Sequence, residues 1–188
     1  MKKKIIVFAI LIITPLIVVL SNNTTINSQS EATYVGVNSC VGACHKSEAQ
    51  GSQLSIWQDS KHSKAYESLK SAFADSVATA RGSNVPAVET PECLKCHTLG
   101  VDLASAKVDD TFDKTQGVQC ETCHGAGSEY KKLSIMKDKQ KSIDAGLIIH
   151  TDKDAFCTQC HNSQSPTFVS FDYDTEWAKI KHEIPAKE

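Results

Sequence analysis

A mainly α chain with little or no sheet is what this sequence predicts, and three features predict it. Over residues 47–80, Leu54, Gln58, His62, Ala65, Leu69 and Phe73 recur at helical spacing and mark a mainly apolar face. Trp177-Ala178-Lys179-Ile180, just ahead of His182, reads as a short C-terminal helix. Much of the rest is polar, and aromatic residues make up only 6%. Helices of this length and composition enclose a thin core unless something other than side chains fills the interior.

The N-terminus stands apart from that domain. Met1-Lys2-Lys3-Lys4 is basic, and residues 5–20 are apolar apart from Thr14 and Pro15. That is the layout of a secretory signal. The stretch is 16 residues long, short of the about 20 that a membrane-spanning helix needs. Val19-Leu20-Ser21 is a tolerable cleavage site but no Ala-x-Ala follows, so a retained membrane anchor through residues 5–20 is the alternative. Residues 21–32 are rich in Ser, Thr, Asn and Gln and read as a polar tether, and residues 33–188 as the folded domain. The expected location is periplasmic or extracytoplasmic, free or anchored to the cytoplasmic membrane. Without residues 1–20, 17 basic side chains face 22 acidic ones, a net −5, and no basic excess points to nucleic acid.

Eight cysteines in an exported chain invite a disulfide reading. Their order argues for something else. Cys40-Val-Gly-Ala-Cys44 is followed at once by His45, Cys93-Leu-Lys-Cys96 by His97, Cys120-Glu-Thr-Cys123 by His124, and Cys157-Thr-Gln-Cys160 by His161. A cysteine pair with an adjacent histidine is the attachment signature of c-type haem. Two thiols add across the two vinyl groups of one porphyrin, and the histidine is carried beneath the iron as its proximal ligand. Zinc, iron–sulfur and disulfide readings account for the paired cysteines but give no reason for a histidine after every pair. The expectation is four covalently attached haem c groups, one for about forty residues of mature chain. The fold expectation sharpens accordingly: helices and loops wrapped around four closely packed haems. The first motif has three intervening residues where the others have two.

Seven histidines are present, and four are used by the motifs. His62, His150 and His182 remain as distal ligands, so at most three haems are bis-histidine within one chain. Each has a second reading: His62 as a buried core histidine, His182 as an exposed tail residue, and His150 as a loop residue before a helix cap at Thr151 or Asp152. Met136 is an axial ligand or a packing residue. It lies in residues 131–141, whose lysines form a solvated helix face, dock an acidic partner or pair with propionates.

With those motifs in place, the sequence resembles the tetrahaem cytochrome c-554 family. The resembling residues are Tyr34-Val-Gly, Trp57-x-x-Ser60-x-His62-x-x-Ala65-Tyr66, Gly117-Val-Gln-Cys120-Glu-x-Cys123-His124-Gly125-x-Gly127-Ser128, and the aromatic run before His182. The resemblance implies a mainly helical multihaem cytochrome c with haems in stacked pairs. Three are bis-histidine, and one, on Cys93, Cys96 and His97, is five-coordinate. It further implies His62 as partner of His124, His182 of His161, and His150 of His45. The chain departs from the pattern in the extra residue of its first motif, in a longer segment before His150, and in Tyr130, where related proteins often carry histidine. No catalytic triad or phosphate loop is present, so electron transport between redox partner proteins is the expected function. The alternatives are a nitric oxide-type reductase activity at one open haem iron and a unit of a larger haem assembly or oligomer.

Overall fold

The computed structural model describes residues 32–42 and 44–185. The expected signal at residues 1–20 and all of the expected polar tether but Ala32 lie outside the described residues. Ala32 itself is buried.

The fold is mainly α, as expected. Among the described residues the α-helical segments are α1 (Val37–Cys40), α2 (Gln53–Asp59), α3 (Ala72–Ala80), α4 (Pro91–His97), α5 (Cys120–His124), α6 (Leu133–Met136), α7 (Lys139–Asp144), α8 (Lys153–Cys157) and α9 (Tyr173–Ile180). Pairing of extended backbone is confined, among those residues, to one isolated parallel bridge between Tyr34 and Val108. There Tyr34 N–H donates to the Lys107 carbonyl at 2.8 Å and Asp109 N–H to that of Tyr34 at 2.8 Å. None of the described helices is long and apolar enough to cross a membrane.

Residues 47–80 do not form the continuous helix that their periodicity suggests. They break into α2, α3 and short 3-10 turns at Glu48–Gln50, His62–Lys64 and Glu67–Lys70. Serine causes two of the breaks. Ser60 is extended and its hydroxyl donates to the Trp57 carbonyl at 2.7 Å. Ser71 is extended and its hydroxyl accepts from Ala74 N–H at 3.1 Å, capping α3. Serine hydroxyls offer the backbone local partners that compete with helical ones. Phe73, assigned to the inner face, is 61% exposed as a result.

Other helix starts follow ordinary capping chemistry. Asp138, Asp152 and Asp172 accept from Lys141, Ala155 and Thr175 N–H to open α7, α8 and α9. Pro91 occupies the first turn of α4, where its missing N–H costs nothing. The main apolar cluster is Tyr66, Leu69, Ala78, Ala87 and Leu94, joining the 3-10 turn before α3 to α3 and α4. It is small, as the composition implies, and it packs against the second cysteine motif through Leu94 and Cys93.

Candidate haem-attachment sites

The four motifs are built in two ways. In the second and third, both cysteines and the histidine lie on one short helix, α4 or α5. Positions i and i+3 of a helix share a face, so both thiols project together and the histidine follows at the helix end. Gln119 and Thr122 close α5 at its start, each side chain bonding the other's backbone N–H. The first and fourth motifs straddle a helix end. Cys40 closes α1 while Cys44 and His45 open a 3-10 turn. Cys157 closes α8, and Cys160 and His161 follow in a turn whose N–H groups donate to the Cys157 carbonyl at 3.2 and 3.0 Å.

All eight thiols are free. Four of them interact across motifs, Cys40 with Cys120 and Cys96 with Cys160. The first motif therefore lies against the third, and the second against the fourth. The bond from Cys160 pulls the Cys96 thiol down to about 6. Burial pushes Cys123 up to about 11.

The histidines outside the motifs come to the motif histidines in a different order from the one the resemblance implies. His62 faces His161, with ring centroids 6.0 Å apart, and His182 faces His124 at 6.1 Å. The reason is local. The His62 carbonyl accepts from Val118 N–H at 2.9 Å, and Gly117 packs so closely on His62–Ala65 backbone that a Cβ there would collide with the His62 carbonyl oxygen. Trp57 Nε1 adds a bond to the Val118 carbonyl at 2.7 Å. The backbone of His62 is thus held beside the third motif while its ring reaches the fourth. After α9 the chain returns over Gly51, where a Cβ would meet the Glu183 carbonyl, and this brings His182 to His124. His150 stacks on Phe156 at 3.8 Å and its Nε2–H donates to the Cys123 carbonyl at 2.8 Å, so its ring is engaged at the third and fourth motifs.

The donor set fits haem better than zinc or an iron–sulfur cluster. Among the described residues, no three His, Cys, Asp or Glu side chains converge to hold a metal ion, whereas those centres need about four protein ligands each. Opposed imidazoles on one iron need only two. Two metal–nitrogen bonds of about 2 Å, with roughly 1.2 Å from nitrogen to ring centre on each side, set such rings about 6.4 Å apart. The observed pairs, at 6.0 and 6.1 Å, lie a few tenths of an ångström inside that spacing. His97 Nδ1–H donates to the Ala65 carbonyl at 2.7 Å, with Ser68 Oγ at 3.2 Å, and His182 Nδ1–H donates to the Ile180 carbonyl at 2.9 Å. A bond of this kind fixes the tautomer and leaves Nε2 as the free electron pair. Burial holds His62 and His124 below the usual histidine range, which favours the neutral, ligating form.

Two residues that could substitute for a missing ligand have different positions. The buried Tyr130 hydroxyl donates to the Gly125 and His124 carbonyls at 2.7 and 3.2 Å, and so braces the third motif. Met136 closes the four-residue α6, half-buried, with Lys131, Lys132, Lys137, Lys139 and Lys141 exposed around it. Sequence reasoning gave no role to Glu121, although its carboxylate is the most heavily bonded side chain of the third motif. Its one sequence signal is an acidic residue between two paired cysteines.

Residues 39–125, which contain the first three motifs, match the family described as cytochrome c554 and c-prime. The chain is 30% identical over 106 residues to cytochrome c-554 of Nitrosomonas europaea, an alignment covering 54% of this chain and 42% of that protein. The match thus spans less than half of that relative's length. No solved structure matches this chain.

Proposed function

We propose that this chain, whose residues 39–125 match the cytochrome c554 and c-prime family, is an exported tetrahaem c-type cytochrome that transfers electrons between redox partner proteins. The observation that carries the reading is the combination of four Cys/Cys/His motifs with two imidazole pairs at iron-spanning distance. Cys40 and Cys44, Cys93 and Cys96, Cys120 and Cys123, and Cys157 and Cys160 would form the thioethers. His45, His97, His124 and His161 would be the proximal ligands. His62 would complete the fourth-motif site and His182 the third. His150 is left for the first, which requires its Nε2 to leave the Cys123 carbonyl. Haem supplies one-electron iron chemistry, and the protein sets its potential through ligands, burial and hydrogen bonds. The chain's own part is to hold neutral imidazoles in fixed orientation and to keep the motifs adjacent. Mass measurement of the exported protein after denaturation tests the reading. Four haems per chain are expected, and zero haems or stoichiometric zinc would overturn it.

One observation supports a second activity at the second motif. His97 is steadied by Ala65 and Ser68, while His62, His182 and His150 are engaged around the third and fourth motifs. With His150 assigned to the first motif as above, no spare histidine is left for the second-motif iron, which would be five-coordinate and open to a small ligand such as nitric oxide. Titration of the reduced protein with carbon monoxide is expected to saturate near one ligand for four haems. Four low-spin haems without ligand uptake would rule the open site out.

A further inference from the structure

Glu121 has an environment that haem attachment does not require. It lies between Cys120 and Cys123, and its side chain is 1% exposed. Such a carboxylate is costly unless donors surround it. Here Val35 N–H reaches both oxygens at 2.9 and 3.1 Å, Gly36 N–H reaches one at 2.7 Å, and Gly127 N–H reaches the other at 2.7 Å. Gln119 extends the arrangement: its Oε1 accepts from Val37 N–H at 2.8 Å while its Nε2 donates to the Asp113 carbonyl at 2.8 Å. Three successive N–H groups, from Val35, Gly36 and Val37, are thus held by two side chains of the third motif region. Gly36 has φ +79, a conformation that glycine adopts without strain and that lets neighbouring N–H groups converge on one acceptor.

Gly36 leads straight into α1, a single turn from Val37 to Cys40. A displacement at its start is carried directly to Cys40 and to the contact that α1 makes with α5, the helix of Cys120. We propose that Glu121 is a positioning residue that registers the first cysteine motif against the third and so fixes the spacing of the two haems attached there. The proposal rests on the tetrahaem reading. It differs from a purely stabilising role because it concerns two of the four centres and not the other two.

The test uses the mature holoprotein with Glu121→Gln, Glu121→Asp and Gly127→Ala. The last is an independent perturbation, since a Cβ at Gly127 would lie 2.9 Å from the Glu121 carboxylate oxygen Oε1. Leu69→Ala, in the apolar cluster that excludes Glu121, is the control for general loosening. Haem count by mass, the magnetic interaction between haems in the paramagnetic resonance spectrum, and a redox titration are read together. Four haems should remain, with the interaction and potentials of the first- and third-motif haems shifted and those of the other two unmoved. Glu121→Asp should restore part of the wild-type signal, and Leu69→Ala should leave it intact. If Glu121→Gln fails to accumulate, Gly127→Ala carries the comparison. Changes spread evenly over all four haems, or lowered stability with unmoved spectra, would overturn the proposal. Fewer than four haems in the wild type would overturn the functional reading instead.

Discussion

Residues 32–150 contain every buried residue of the described chain, and residues 151–185 contain none. Both regions carry cysteine motifs, so the difference lies in what surrounds the motif. In the first region α4 packs into the apolar cluster through Leu94, and α5 is fastened by Glu121, Gln119 and Tyr130. In the second, α8 and α9 are short helices opened by aspartate caps, and His161 leans on Phe171 at 4.8 Å. Burial of apolar area is the main source of folding free energy, and residues 151–185 have little of their own to bury. A protein core can hold the second and third motifs in place, whereas the fourth depends on what it binds and on contacts such as that between α2 and α9.

The largest expected effect comes from that contrast. Replacing Cys157 and Cys160 by serine would remove the thioethers proposed for a fourth haem. Mass measurement should show three haems, and limited proteolysis should cut within residues 151–185 while residues 32–150 resist. A C-terminal region as resistant as the wild type would break the comparison.

Side-chain truncation probes the same contrast at smaller scale. Leu69 is 5% exposed and Val169 is 92% exposed. Leu69→Ala should cost about 2–5 kcal/mol, the usual range for a buried leucine. Val169→Ala should stay within about 0.5 kcal/mol, as surface changes do. Denaturant unfolding of the two variants side by side measures both.

His62 joins the two regions, since its backbone is fixed in one and its ring faces His161 in the other. His62→Ala should convert one low-spin haem to high-spin with the haem count unchanged. The identity of that haem comes from a double-mutant comparison. In the Cys157/Cys160 serine background, where the fourth haem is absent, His62→Ala should change nothing further. If it still produces a new high-spin haem, His62 serves another motif and the pairing with His161 read from the ring geometry is wrong.

Much of this was legible in the sequence because it is local. A cysteine pair and an adjacent histidine define their chemistry within six residues, and the short helix before His182 and the cap at Asp152 are read from neighbouring residues. The broken segment at residues 47–80 was not legible, because serine side chains and the bond from Val118 to the His62 carbonyl override an acceptable helical period. The ring contacts of His62 with His161 and of His182 with His124 were not legible either. They depend on Gly117 and Gly51, glycines that allow backbone from distant segments to come close. Glu121 stood in the motif that signalled the family, yet two of its three donors lie 85 and 86 positions earlier at Gly36 and Val35, beyond the reach of spacing arguments.

The smallest effect concerns the cap of α9. Asp172 accepts from Thr175 N–H at 2.9 Å, and bonds from the Thr175 hydroxyl and N–H hold its carboxyl below the usual aspartate range. A carboxyl so lowered stabilises the folded form above its unfolded pKa, and that contribution disappears as pH falls through the folded value. Acid should therefore loosen α9 before it disturbs the apolar cluster at Leu69, which contains no titrating carboxylate. Asparagine is also a good cap, so Asp172→Asn should keep α9 while removing the acid dependence of its cap. Asp172→Ala should lose the cap at every pH. Hydrogen exchange of the α9 amides across the acid range separates the three proteins. Equal acid sensitivity in wild type and Asp172→Asn would show that the cap carboxylate does not govern the stability of α9, and that the hold on His182 depends on the contact with Gly51 instead.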